Sequence, residues 1–191
     1  IPNPVNPSHP IETHGKPIIL VGLMGCGKTT VGKLISKRTG MPLLDMDALI
    51  EEQVGMKISQ IFAEQGEEHF RTLETTLLRF LLDHPQIPPP VISTGGGVVG
   101  RAENRELLRR LGFVVWLDVS VNALLRRTAR SNNRPLLQTG NPAETLRRLW
   151  EVRAPLYKET AHRIIHSSRM DVGEVCRRVC SLAERFFAGR N

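Results

Sequence analysis

The residues Gly22-Leu23-Met24-Gly25-Cys26-Gly27-Lys28-Thr29 have the spacing G-x-x-x-x-G-K-T. Glycines in that pattern let backbone N–H groups turn inward around phosphate oxygens. The motif needs a strand before it and a helix after it. Both are present: the apolar run Ile18-Ile19-Leu20-Val21 precedes it, and a helical pattern through Leu34, Ile35 and Arg38 follows it, up to Gly40. The helix start aims its positive dipole end at the same anion. The Lys28 ammonium can reach β- and γ-phosphates, and the Thr29 hydroxyl can ligate Mg²⁺. The nucleotide-holding residues expected here are Gly25, Cys26, Gly27, Lys28, Thr29 and Thr30. Cys26 is assigned no catalytic role.

A phosphate loop specifies a nucleotide but not a reaction. A GTPase needs a guanine-selecting N-K-x-D, and no such string occurs. A motor needs partner domains, for which 191 residues leave little room. A small-molecule kinase needs an acceptor pocket beside the phosphates, and several residues can build one. Asp45 and Asp47 follow a short apolar segment, Pro42-Leu43-Leu44. Two apart in extended chain, their carboxylates share a face, so one can orient Mg²⁺ waters while the other receives an acceptor hydroxyl. A helix N-cap at either position explains them equally well. Gly95, Gly96 and Gly97 follow the strand-like Val91-Ile92-Ser93-Thr94, so their N–H groups can lie along a ligand, or they form a simple turn. Arg71 and Arg153 carry little weight from spacing alone. Arg126, Arg127, Arg130 and Arg134 crowd into nine residues, which reads as a solvated face or as a mobile lid bringing charge to a phosphoryl group.

These residues require a scaffold that alternates strand and helix. Further helices are expected at 48–54, 58–65, 67–82, 103–111, 122–130 and 143–157. Further strands are expected at 113–117 and at Ile164-Ile165. The final helix, from about Gly173 to Phe187, puts Val175, Val179, Leu182 and Phe186 on one stripe, with Cys176 and Cys180 beside it as core filler. Prolines 85, 88, 89 and 90 mark a linker. Such alternation predicts an α/β fold with a parallel sheet covered on both faces. Five of the thirteen prolines fall in residues 1–17, so 1–16 is read as an extended or disordered leader before a single domain at 17–191.

Composition narrows the class. Hydrophobic residues at 40% and charged residues at 24% exclude a disordered chain, and no apolar run approaches the roughly 20 residues of a membrane span. Three cysteines, an odd number, argue against a disulfide scaffold and for a reducing compartment. The net charge of +7 is uneven: residues 1–100 carry 8 basic and 10 acidic side chains, and 101–191 carry 18 and 9. A basic half suits a phosphorylated ligand or nucleic acid. However, there is no nucleic-acid motif, and only nine aromatic residues are present to stack bases.

Taken together, the ordered motifs GLMGCGKTTVG at 22–32, DMD at 45–47, GEEHFR at 66–71, STGGG at 93–97, RPLL at 134–137 and RAPLY at 153–157 resemble shikimate kinase over about residues 16–188. The resemblance implies the three-layer P-loop kinase fold of nucleoside monophosphate kinases. That fold has a five-stranded parallel sheet in order 2-3-1-4-5, an acceptor-binding section at about 45–75 and a lid at about 126–142. It implies a cytoplasmic, monomeric enzyme of aromatic amino-acid biosynthesis. This enzyme would move the γ-phosphoryl group of ATP, with Mg²⁺, to the 3-hydroxyl of shikimate, and would bind neither nucleic acid nor membrane. Lys28, Asp47 and Arg134 match the catalytic positions, Asp47 also binding shikimate hydroxyls. Asp45, with Thr29, matches the metal side. Arg71 and Arg153 match the arginines on the shikimate carboxylate, and Gly95, Gly96 and Gly97 line that pocket. Arg134 matches the lid arginine on the phosphates, and Arg127 one that packs on adenine.

The chain departs from the family at Val172, where a proline often reaches the adenine, so contacts in 167–172 stay unassigned. Gluconate kinase is the nearest rival, and DMD with RAPLY argues against it. A nucleic-acid-binding P-loop module is a rival of another class. Intact Lys28, Thr29, Asp47 and Arg134 argue against a catalytically dead copy.

Overall fold

The structure, a computed structural model, describes residues 10–128 and 141–189. The elements in chain order are β1 (Ile18–Val21), α1 (Lys28–Thr39), β2 (Leu43–Asp45), α2 (Met46–Val54), α3 (Ile58–Asp83) and β3 (Val91–Ser93). After a single 3₁₀ turn at Val98–Gly100 come α4 (Ala102–Leu111), β4 (Phe113–Asp118), α5 (Val121–Thr128), α6 (Pro142–Thr160), β5 (Arg163–His166) and α7 (Val172–Ala188). All strand pairs are parallel, and the order is β2-β3-β1-β4-β5. This is the topology that the family resemblance implies.

The order decides which face each helix covers. The step from β1 to β2 travels one way across β3, whereas the later steps travel the other way. Right-handed crossovers then put α1 on one face and α2 to α6 on the opposite one. The packing agrees: α1 lies against α7, and α4 lies against α3 and α6. β1 and β3 leave their carboxyl ends in opposite directions, so the crevice where ligands bind in such sheets opens there.

Burial follows the same plan. β1 and β3 are buried at every residue and β4 through Leu117, as expected of parallel strands covered on both sides, while edge strands β2 and β5 are only part-buried. On α7, Val175, Cys176, Val179, Cys180, Ala183 and Phe187 are buried, so both cysteines are free thiols of the core. Leu182 and Phe186 are only partly covered.

Two elements differ from the sequence reading. α2 begins at Met46 rather than 48, because Asp45 caps it. The helices expected at 58–65 and 67–82 are both present, joined in α3 and separated by the non-helical Gly66 at φ 82° and ψ 167°. α6 continues through Pro155 to Thr160. An internal proline removes one helical hydrogen bond. Here Pro155 faces solvent, and the turns beyond it are anchored by buried Tyr157 and Thr160. Residues 10–16 hold neither helix nor strand, yet Thr13 is buried. Most of the expected lid, with Arg130 and Arg134, lies outside the described residues.

The chain enters β1 through a close approach. Phe113 N–H donates to the Pro17 carbonyl at 2.9 Å, and a Cβ on Gly112 would run into that same oxygen. Gly112→Ala is therefore expected to lower the unfolding free energy by about 1–3 kcal/mol, the usual cost of forcing extra volume into a packed site. Urea denaturation at unchanged slope measures it, and a loss below about 0.5 kcal/mol would show that the contact is soft.

Candidate active site

The phosphate loop joins β1 to α1. Gly27, its last residue, caps α1 at φ 98° and Gly25 has φ 82°, both in the region that L side chains avoid. Lys28 is buried. Its Nζ donates to the Gly22 carbonyl at 2.7 Å and the Leu23 carbonyl at 3.1 Å, and lies 3.6 Å from Cys26 Sγ. The loop is thus shaped around a cation. Thr30 is exposed on the first turn of α1.

Thr29, on the first turn of α1, ties two strand ends together. Its Oγ1 donates to Asp45 Oδ2 at 2.9 Å and sits 3.0 Å from Ser93 Oγ. Hydroxyl and carboxylate oxygens are the donors that Mg²⁺ takes, usually one or two from protein, with the rest from waters and phosphates. The side chains therefore fit that ion, which Thr29 and Asp45 could hold. Among the described residues, no three His, Cys, Asp or Glu side chains form a metal cage of their own.

The cap reading of Asp45 is shown, and it leaves the second carboxylate oxygen on Thr29. While Oδ2 meets Thr29, Oδ1 accepts from Asp47 N–H at 3.1 Å and Ala48 N–H at 3.3 Å, which starts α2. Asp47 is consequently in the first helical turn, not two residues along an extended strand. Its carboxylate still reaches the pocket: Oδ1 lies 3.0 Å from where a Cβ on Gly95 would be, and it has no hydrogen-bond partner. Burial, followed by the nearby Asp45 charge, pushes the Asp47 carboxyl above its ordinary range, with Lys28 and Arg71 pulling the other way.

The glycine triplet meets a different group at each residue. A Cβ on Gly95 would lie 2.7 Å from Glu74 Oε1, besides its contact with Asp47. A Cβ on Gly96 would lie 3.2 Å from Met24 N, 3.5 Å from the Gly22 carbonyl and 3.7 Å from Arg153 Nη1. One on Gly97 would collide with the Arg71 guanidinium. Only residues without side chains let the acceptor arginines and the phosphate loop come this close.

Arg71 is held from its own helix. Nη1 donates to Glu74 Oε2 at 2.7 Å, and Nη2 and Nε donate to Glu67 Oε1 at 2.7 and 3.2 Å. Glu74 is fully buried and its second oxygen lacks a partner. Burial raises its pKa, with Arg71 opposing. Sequence reasoning missed Glu74 and Ser93. Glu74 stands three residues after Arg71, the spacing of neighbours on one helix face, and Ser93 ends β3.

Arg127 bridges two loops, donating at 3.4 Å both to the Cys26 carbonyl and to the Ser167 carbonyl. It therefore lies over the loop after β5. Val172, in place of the family's proline, opens α7 and is exposed.

The chain as a whole is similar to known proteins. The sequence profile of a family described as shikimate kinase matches residues 24–184. A shikimate kinase of Marinomonas sp. is 44% identical over 168 residues, 88% of this chain and 92% of the relative. One from Acinetobacter baumannii is 42% identical over 176 residues, 92% and 96% of the two chains. A structure described as Acinetobacter baumannii shikimate kinase in complex with shikimate superposes with TM-score 0.82 at 40% identity, covering 92% of this chain and 94% of that one. A gluconokinase from Sinorhizobium meliloti, at TM-score 0.59 and 17% identity over 93% and 97% of the two chains, shares the fold alone.

The electrostatics give a testable sign. A raised Asp47 pKa means that the folded state binds this proton more tightly than the unfolded chain does. The ionised form therefore costs stability above the folded pKa, and the cost fades as pH falls through it. Asp47→Asn is expected to raise stability at pH 7 by about 0.5–2 kcal/mol. The gain should shrink towards acid pH in thermal melts, and a loss of stability at pH 7 would contradict it.

Proposed function

The chain belongs to the shikimate kinase family, and we propose that it transfers the γ-phosphoryl group of Mg²⁺-ATP to the 3-hydroxyl of shikimate, giving shikimate 3-phosphate and ADP. One observation supports this most: Asp47, Arg71 and Arg153 converge on the glycine triplet, which itself abuts the phosphate loop. Arginine forks suit a carboxylate and an aspartate suits hydroxyls, and shikimate carries both. The solved relative that binds shikimate supports the same acceptor.

Each residue then has a role. The loop from Gly25 to Thr30 cradles the triphosphate, and Lys28 turns from the loop carbonyls to the phosphates. Thr29 and Asp45 would hold Mg²⁺, which would neutralise phosphate charge when bound. Arg71 and Arg153 clamp the carboxylate against Gly95, Gly96 and Gly97. Asp47 orients the acceptor hydroxyl and takes its proton, for which a raised carboxyl pKa is favourable. Arg127 packs at the adenine, and Arg134 is assigned to the transferring phosphoryl group from the lid. Positioning and charge neutralisation carry such a transfer, with little covalent chemistry asked of the protein.

The setting follows from the same features. Three buried free cysteines suit a cytoplasmic protein. Among the described residues no helix is long and apolar enough to cross a membrane. Several arginines of the basic half are already paired, Arg101 with Glu68, Arg105 with Glu159 and Arg178 with Glu174, which weakens the case for nucleic acid. The site described needs no second copy, so we read the chain as a monomer.

Coupled ADP release with Mg²⁺-ATP is expected with shikimate and not with gluconate; release with gluconate alone would overturn the acceptor assignment. Arg71→Ala should weaken acceptor binding by about 1.5–3 kcal/mol, the range for hydrogen bonds to a charged group, and leave the KM for ATP in place. An unchanged KM for shikimate would remove Arg71 from the clamp.

A further inference from the structure

Tyr157 has a polar end that packing does not explain. The residue is fully buried, and its ring stacks on Trp116 with centroids 5.5 Å apart and planes at 29°. Trp116 is paired in register with Val21, the last residue of β1 before the phosphate loop. A phenylalanine would fill this space equally well. The hydroxyl, however, donates to the Gly96 carbonyl, and the Arg153 guanidinium lies against that same hydroxyl. Arg153 and Tyr157 are four apart on α6, one above the other on a single helix face. The space that a Cβ on Gly96 would fill is bordered by Arg153 together with the phosphate-loop atoms Met24 N and Gly22 O.

We propose that Tyr157 is a positioning residue for the acceptor: its hydroxyl locks the Gly96 carbonyl and the Arg153 guanidinium into one arrangement, which sets the angle at which Arg153 meets the acceptor carboxylate. The inference rests on the acceptor assignment above. Burial raises the phenol pKa, so the hydroxyl keeps its proton and remains a donor to Gly96. The lock acts before any substrate arrives, and its benefit is a pre-aimed fork. An acceptor bound by a misaimed Arg153 would bind more weakly, while nucleotide binding, which uses the phosphate loop rather than Arg153, would change little.

The experiment is a cycle of Tyr157→Phe, Arg153→Ala and the double variant, assayed by ADP release with thermal midpoints followed in parallel. Tyr157→Phe is expected to raise the KM for shikimate about 3- to 10-fold, the range of one buried hydrogen bond. The KM for ATP and kcat at saturating shikimate should stay within about twofold. In the Arg153→Ala background the same change should move the KM by less than about twofold, because the group it positions is gone. Three results would overturn the proposal: no rise in KM, an equal rise for both substrates, or an equal rise with and without Arg153. A lower thermal midpoint with unchanged KM would show a structural hydroxyl only. A wild-type enzyme silent with shikimate would remove the acceptor assignment and this inference with it, whereas an active wild type with an indifferent Tyr157→Phe removes the inference alone.

Discussion

At the carboxyl end of β3 three consecutive side chains are missing, and a different functional group stands in the place of each. Asp47 and Glu74 close on Gly95, the phosphate loop and Arg153 close on Gly96, and Arg71 closes on Gly97. β3 lies between β1 and β2, so its end is where the loop after β1 and the capped helix after β2 come together. The sheet order, the crossover directions and the cap at Asp45 all serve to deliver groups to this one stretch of bare backbone. An alanine at 95 or 97 would not disturb the strand, but it would occupy space that charged groups now fill.

Close approach brings charges together in a dry place. Lys28 and Arg71 act on the Asp47 carboxylate, and Arg71 and Arg153 on Glu74, but the balance is incomplete. Oxygens on Asp47 and Glu74 are buried without partners. Unsatisfied buried polar atoms each cost stability, and both of these gather at Gly95. The Lys28 ammonium is instead solvated by the Gly22 and Leu23 carbonyls.

Much of this could be read in the residues themselves. The phosphate loop, all five strands and the break near Gly66 are local signals: glycine spacing, apolar runs and a punctuating glycine. Sheet order came from the resemblance, because no local signal fixes which parallel strands are neighbours. Glu74 escaped notice because an acid on a helix usually faces water, and only the fold puts this one under Gly95. The start of α2 was misplaced because Asp45 acts through both oxygens, one as cap and one towards Thr29, and a sequence pattern offers such roles as alternatives. Pro155 suggested a nearby helix end, since propensity alone does not register the anchorage of Tyr157 and Thr160.

The irregular Gly66 has a mechanical consequence. A continuous helix resists bending along its whole length. In α3 the helical geometry lapses at one residue, so compliance is concentrated there. The segment before Gly66 packs with α2 around the acceptor side, while the segment after it carries Arg71 and Glu74 into the core. Any bending of the outer segment therefore falls at Gly66 and leaves the turns that carry Arg71 and Glu74 undisturbed. Stiffness is kept where atoms must be held to tenths of an ångström, and softness is confined to a single joint outside that zone.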